Sequence, residues 1–597
     1  MNDRYHRSVL ARRLSLLGGL MQVVLVLVAL GYGKVQVLEG AHFRSLADEN
    51  RLRKVAIEAP RGRILDRYGR ALAENVPRYN LELDRSLSHD RHSALDFAAG
   101  ILGLPVAELE GRLEALRGTP SFKPVTLAEG LGFEAVARFS VERLEHPELE
   151  IGVVHRRLYR AAHQTAHLLG YLGEVSAEDL ARHPDLYRVG DRIGRRGIEK
   201  VYDERLRGAD GERVVVVDSK GRWIEEIERL PARPGSDLVL TIDLALQQRA
   251  AELMEDKTGA VVALDPRSGD VLALVSSPSF DPNQFSRRLG QRQFRQLLEH
   301  PHHPLQNRTI QNRYPPGSVF KIVMAFAALE QLDFDPREKV YCRGYSKIYN
   351  HRYRCWRSSG HGWVDLRDAL KYSCNVYFHQ LGQRLGIETI ARYARRFGLG
   401  QATGIDLEGE QRGLVPDGRW SLAVRGTPWF PGETISVATG QGPILVTPLQ
   451  VAVMMAAVAN GGRLVRPRLW RDRPPPPPAH LPPLDPAALE RVRDALKAVV
   501  NEPRATGRAA RLEQLVVAGK TGTAQVVTQE TWTANEELPP EQRDHAWFAS
   551  FAPADDPQLV VVVFVEHGGA GSEAAAPLAR LLYETFFDAD LAHRTAA

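Results

Sequence analysis

The stretch Pro315-Pro316-Gly317-Ser318-Val319-Phe320-Lys321 runs into an unbroken apolar segment that ends at Leu329. A Pro-Gly turn that opens a helix sets Ser318 at the positive end of the helix dipole. The i, i+3 spacing then brings the Lys321 amine onto the same face, one turn along. A serine hydroxyl is a weak nucleophile until a neighbouring base takes its proton. A lysine can be that base once burial and nearby cations lower its pKa. Alone, S-x-x-K should arise by chance roughly once or twice in a chain of this length and average composition. Two companions give it weight. Ser373-Cys374-Asn375 lies 55 residues on, and Lys520-Thr521-Gly522-Thr523 a further 147. The latter sits in a strand-like stretch, Val516 to Val527, where Gly522 lets a ligand approach the backbone closely. In this order the three segments point to serine acyl transfer, with Ser318, Lys321, Ser373 and Asn375 as catalytic candidates. Lys520, Thr521, Gly522 and Thr523 are the candidates for holding substrate.

The surroundings of these motifs predict an α+β domain over residues 236–597, an antiparallel sheet flanked by helices. Ala260–Leu264 and Val271–Val275 flank the turn D-P-R-S-G-D, and Ala546–Phe551 and Leu559–Val565 flank A-P-A-D-D-P, as hairpin strands do. After Asp485 an N-cap, Pro486 at the first position and Leu489, Val492, Leu496 and Val499 on one face predict a helix. Pro474–Pro478 with Pro482 and Pro483 is expected to be a surface loop. Pro231 to Gly235 marks the main boundary. Upstream, residues 35–235 combine short helical patterns at 85–190 with a strand at Val214–Val217 and a turn at Asp218–Gly221. No internal repeat of 20–50 residues is present.

A chain of 597 residues is too long for one hydrophobic core. Its net charge of +5, with no long basic block past the N-terminus, argues against a nucleic-acid binder. At 44% hydrophobic and 25% charged it is neither disordered throughout nor a polytopic membrane protein. Leu14 to Gly33 stands apart: twenty residues without a formal charge, long enough to cross a hydrocarbon core of ~30 Å. Arg4, Arg7, Arg12 and Arg13 precede it, which predicts a cytoplasmic tail at 1–13, a transmembrane helix at 14–34 and the remaining chain outside. A cleaved signal peptide would have an apolar region of ~7–15 residues and a small-residue cleavage site, which Gly-Tyr-Gly-Lys-Val does not offer. From Gln36 to Glu49 a helical stalk is expected.

Cys342, Cys355 and Cys374 fall within 33 residues, with His361 between them, in the pattern C-x12-C-x5-H-x12-C. Cys342, Cys355, His361 and Cys374 would suffice for a tetrahedral structural zinc site. A Cys342–Cys355 disulfide with a free third thiol, suited to an oxidising exterior, and three unrelated thiols are the alternatives. His302, His303, His351 and His545 have no ligand-like neighbours in sequence.

The ordered triple is the signature of class A β-lactamases and penicillin-binding proteins. The chain resembles the class B penicillin-binding proteins over nearly its whole length. P-R-G-R-I-L-D-R-Y-G at Pro60–Gly69 and G-I-E-K-V-Y-D-E-R-L-R-G at Gly197–Gly208 are similar to motifs of that family's non-catalytic pedestal, a dimerisation-type domain. A-T-G-Q-G-P-I-L-V-T-P-L-Q at Ala438–Gln450 and H-A-W-F-A-S-F-A-P at His545–Pro553 match its catalytic domain. N-R-Y-P-P-G-S-V-F-K-I most resembles the elongation branch, penicillin-binding protein 2. The resemblance implies a peptidoglycan D,D-transpeptidase active in cell elongation and a target of β-lactams. It also implies an oxyanion hole from the Ser318 and Thr523 N–H groups, a RodA-type SEDS glycosyltransferase partner and other elongation-complex proteins. No cofactor is expected for acyl transfer. A division-type transpeptidase, a β-lactam-hydrolysing or -sensing relative, a D,D-carboxypeptidase and an inactive scaffold are the other readings. The pedestal and uncleaved anchor weigh against a secreted hydrolase, and the intact motifs weigh against a scaffold.

Overall fold

The computed structural model describes residues 2–85, 90–115, 124–218, 223–286, 291–474, 484–527 and 537–595. Most of the turn expected at Asp218–Gly221 and all but the first of the expected prolines lie outside these. The chain divides into two compact units. One holds Met1–Pro60, Val76–Arg156 and Gly208–Gly235; the other holds Arg61–Asn75, Arg157–Arg207 and Ser236–Ala597.

The first unit begins with a helix, Asn2–Gly33, which continues through a π-helical turn at Lys34–Leu38 into a second helix, Gly40–Arg51. The first helix starts well before the uncharged run, because nothing in its arginine-rich head breaks a helix. It is long and apolar enough to cross a membrane, and none of its apolar window is buried. The strands Leu52–Ile57, Gly211–Val217 and Trp223–Leu230 then form an antiparallel sheet. A separate mixed core gathers Leu81 and Leu149, from the strands Ala71–Leu83 and Leu149–Tyr159, with the helical residues Leu95, Leu109 and Phe139. Within it the helix Arg91–Leu102 is capped by Asp90, whose carboxylate accepts from the His92 and Ser93 N–H groups, and ends at Gly103 in the left-handed region.

The second unit is built on a five-stranded antiparallel sheet in the order Val271–Ser277, Gly259–Leu264, Leu559–Val565, His545–Ala552, Ala518–Ala524. The middle strand, Leu-Val-Val-Val-Val-Phe-Val, is apolar at every position because both faces of the sheet are covered. Val561, Val563 and Val565 pack with Leu246, Leu582 and Tyr583 of the helices Leu244–Leu253 and Ala576–Thr595. Val560, Val562 and Phe564 join the opposite core, with the helices Lys321–Gln331 and Pro448–Ala459. The strand expected over Val516–Val527 is confined to Ala518–Ala524, and the helix after Asp485 runs from Pro486 to Asn501.

The two glycine-rich motifs of the upstream region meet inside this second unit. Arg61 donates to Glu199 at 2.7 Å and to Asp203 at 2.8 Å, and Arg157 donates to the other oxygen of Glu199 at 2.7 Å. Tyr187 and the Gly194 N–H complete Asp203. Burial disfavours the charge of Glu199, but Arg157 and Arg61 outweigh it and hold the carboxylate below its ordinary range. Its stabilising effect is present above the ordinary glutamate pKa and is lost as the pH falls through the lower folded value. Glu199→Gln would leave two buried guanidinium groups short of their counter-charge, which costs about 3–5 kcal/mol. We expect a lower denaturation midpoint for Glu199→Gln at neutral pH, with the gap to the parent chain narrowing under acid. Arg63→Ala, which removes an exposed pair with Asp237, should change the midpoint far less.

Candidate active site

Ser318 lies in a short 3-10 turn, Gly317–Phe320, and the α-helix proper begins at Lys321. The turn is tight because Gly317 has φ of +53°, and a Cβ there would stand 2.6 Å from the Thr523 carbonyl oxygen. A Cβ on Gly522 would come within 2.9 Å of Val319 and Trp547. The two glycines therefore let the serine turn and the K-T-G strand close on each other. Ser318 and Thr523 stay partly exposed at that junction, while Lys321 and Lys520 are fully buried.

The Lys321 amine donates to the Ser373 carbonyl oxygen at 2.9 Å, the Ser373 hydroxyl at 3.2 Å and Asn375 Oδ1 at 2.6 Å. Both polar side chains of the S-x-N segment thus converge on the lysine four residues from the turn's start. Ser373 has φ of +54°, and Asn375 opens the helix Asn375–Arg396. Burial pushes the Lys321 pKa down to about 8, partly opposed by the sulfurs of Cys355 and Cys374. Lys520 is pushed well below its ordinary value by burial and by the charge of Lys321, and donates to the Thr521 carbonyl at 3.1 Å. Thr521 is buried, its hydroxyl donating to that of Thr506 at 2.9 Å.

Three site residues escaped sequence reasoning. Gln441 donates to the Thr523 carbonyl at 3.1 Å and accepts from the Gln525 N–H, clamping the end of the K-T-G strand. A Cβ on Gly440 would stand 2.0 Å from the Gly317 carbonyl oxygen, so the A-T-G-Q-G segment abuts the serine turn. Thr506 faces Thr521. Gln441 and Gly440 lie in a stretch singled out by resemblance alone; nothing in its spacing assigns it to the site.

The four metal-ligand candidates come together. Their ligand atoms all lie within 4.8 Å of one another, and His361 Nδ1 is 3.6 Å from the sulfurs of both Cys342 and Cys355. All three cysteines are buried free thiols, so the expected alternative of a Cys342–Cys355 disulfide is not what the structure contains. Bond lengths of about 2.3 Å to sulfur and 2.0–2.1 Å to nitrogen make an S···N edge of about 3.5 Å in a tetrahedral zinc site. The two edges from His361 to Cys342 and Cys355 match this length, and three thiols with one imidazole are a donor set that fits zinc. Burial disfavours the imidazolium of His361, but hydrogen bonds to Cys342 and Cys355 outweigh it and push its pKa up to about 9. The neighbouring thiols and His361 outweigh burial at Cys355 and favour its thiolate. Of the other histidines, His545 packs edge-on against His567, and His302 and His351 are exposed.

Comparison with known proteins agrees with this geometry. The penicillin binding protein transpeptidase domain matches residues 259–584, and the penicillin-binding protein dimerisation domain matches residues 56–240. The chain is 35% identical to the peptidoglycan D,D-transpeptidase MrdA of Haemophilus influenzae, over 93% of this chain and 88% of that one. It superposes on penicillin-binding protein 2 of Helicobacter pylori, solved in complex with MreC, with a TM-score of 0.79 and 27% identity over 90% and 99% of the two chains. For Pseudomonas aeruginosa penicillin-binding protein 2 in complex with WCK 5153 the TM-score is 0.68, at 32% identity over 89% and 96%. Fold, site and likeness agree, and the chain belongs to the class B penicillin-binding proteins, in the penicillin-binding protein 2 branch.

Proposed function

We propose that the chain is a serine-type D-Ala-D-Ala transpeptidase that crosslinks peptidoglycan stem peptides during cell elongation. The observation that carries this reading is the buried Lys321, beside the Ser318 turn and held by Ser373 and Asn375. With a pKa near 8, a useful fraction of the amine is neutral at physiological pH and can accept the Ser318 proton. The freed oxygen attacks the carbonyl carbon of the penultimate D-Ala. The tetrahedral oxyanion is received by the N–H groups of Ser318 and Thr523. Lys321 returns the proton through the Ser373 hydroxyl to the departing amine of the terminal D-Ala, which leaves an ester on Ser318. An amine of a second stem peptide then attacks the ester, gives up its proton by the same route and regenerates the serine. Along the strand Lys520 supplies an amine that a neighbouring carboxylate would keep protonated against burial. Thr521 and Thr523 supply hydroxyls for the substrate's terminal carboxylate, and Gly522 lets the strand lie close against the serine turn. β-Lactams occupy the same place.

We further propose a single-pass anchor at residues 14–34 with the N-terminus in the cytoplasm, supported by the arginines ahead of it. Residues 35–235 serve as a non-catalytic pedestal and 236–597 as the transpeptidase domain. Polymerisation falls to a RodA-type SEDS glycosyltransferase within the elongation complex. Cys342, Cys355, His361 and Cys374 would hold a structural zinc, which takes no part in acyl transfer and fixes the loop carrying Ser373 and Asn375.

Penicillin should form a long-lived adduct at Ser318, visible by intact-mass analysis. It should be absent from Ser318→Ala, and Lys321→Ala should acylate about 10²–10⁴-fold more slowly. Rapid turnover of the adduct would favour a hydrolase instead. The acylation rate should climb about tenfold per unit at low pH and level off above about pH 8, as Lys321 loses its proton; a rate flat from pH 6 to 9 would rule out Lys321 as the base. Elemental analysis should find close to one zinc per chain. Chelation should expose three reactive thiols and slow acylation. Metal-free chain with a mass two hydrogens light would establish a disulfide.

A further inference from the structure

Between Glu338 and Asp365 the chain carries six basic residues (Lys339, Arg343, Lys347, Arg352, Arg354 and Arg357) and no Asp or Glu. Within this segment Tyr345–Ile348 and His351–Arg354 form an antiparallel hairpin whose register sets Lys347 opposite Arg352 and Tyr345 opposite Arg354. Strand alternation turns Ser346 and Ile348 inward, where both are buried, and sends Tyr345, Lys347, Arg352 and Arg354 to the outer face. Like charges directly opposite one another destabilise a ladder. Among the described residues no carboxylate forms an ion pair with Lys347 or Arg352. The guanidinium groups of Arg352 and Arg343 stand 3.7 and 5.4 Å from the Tyr345 ring centroid.

The hairpin nevertheless has firm anchors. Ser346 Oγ lies 2.9 Å from Nδ1 of the buried His379, and the Arg354 carbonyl accepts from Asn375 Nδ2 at 3.3 Å. The second contact attaches the cationic face directly to the S-x-N motif. At the tip Tyr349 and Asn350 both adopt left-handed backbone, φ +49° and +63°, and Tyr349 is 54% exposed. A bulky residue in that region is uncommon, and here it presents its ring to solvent. Beside the hairpin, Tyr341 and Trp363 pair across a second short ladder, ring centroids 5.3 Å apart, and both are more than half exposed.

Exposed rings beside Lys347 and Arg352, for which no ion pair forms among the described residues, suit a polymer offering both pyranose faces to stack on and carboxylates to pair with. An acidic polypeptide supplies only the second. We propose that this face docks the acceptor glycan strand through the carboxylates of its stem peptides, delivering the attacking amine to the acyl-enzyme at Ser318. The proposal rests on the transpeptidase reading and adds to it a second substrate site.

The test uses the full chain in detergent, with uncrosslinked glycan strands bearing stem peptides as one probe and the same strands stripped of peptide as another. The double variant Lys347→Glu/Arg352→Glu should bind the peptide-bearing strands at least tenfold more weakly than the parent. It should acylate with penicillin at a rate within twofold of the parent, which shows that the site is folded. Parent binding should weaken with salt and fall to the variant's level when the peptides are removed; Lys347→Arg should behave as the parent. Equal strand binding by parent and double variant would overturn the proposal, as would polyglutamate competing as well as the strands. A parent chain that binds strands but never acylates with penicillin would instead remove the enzymatic reading.

Discussion

An amine enclosed in an apolar interior must find acceptors, and Lys321 finds three on one short stretch of chain. That requirement shapes what surrounds it. Ser373 turns its carbonyl and its hydroxyl toward the same nitrogen, which it does in the left-handed region, at a cost of roughly 1–3 kcal/mol. Asn375 reaches the amine from the first turn of its helix. Between them Cys374 is fully buried and gathers with Cys342, Cys355 and His361. One tripeptide therefore serves the lysine with two residues and the thiol cluster with the third. The strained corner has support on both sides.

Close approach of main chains is the second constraint. The serine turn, the K-T-G strand and the A-T-G-Q-G segment stand at distances that no Cβ at Gly317, Gly440 or Gly522 would permit without movement. Side chains alone could not bring Ser318 and Thr523 to one opening. Gln441 ties the third segment to the second by donating to the Thr523 carbonyl.

Much of this was legible in the sequence, and the limit has a physical cause. Strands of the catalytic sheet announced themselves by apolar runs flanking turn residues, and the helix after Asp485 by its cap and its period. The serine, lysine and S-x-N residues carry chemistry in their types, so their order sufficed. Gln441 and Thr506 do not: an amide and a hydroxyl are common, and only the fold brings them to the K-T-G strand. The same holds for Arg61 and Glu199, which are 138 residues apart in sequence yet share a buried ion pair. Local pattern carries no information about such a partner. The serine turn is 3-10 where its sequence predicts regular helix, and the S-x-x-K spacing does not separate the two because both place i and i+3 on nearly the same face.

The middle strand of the catalytic sheet, Leu559–Val565, is hydrogen-bonded to Gly259–Leu264, about 300 residues earlier, and to His545–Ala552 beside it. A chain delivered from its N-terminus presents Gly259–Leu264 and Val271–Ser277 long before their neighbour arrives. Until then one edge of an apolar two-stranded ribbon stays open, the kind of edge that pairs with other chains. The sheet closes only once Leu559–Val565 has emerged. Assembly of the catalytic sheet is thereby tied to synthesis through Leu559–Val565, and a product that stops short of that strand has no way to seat the K-T-G strand beside the serine.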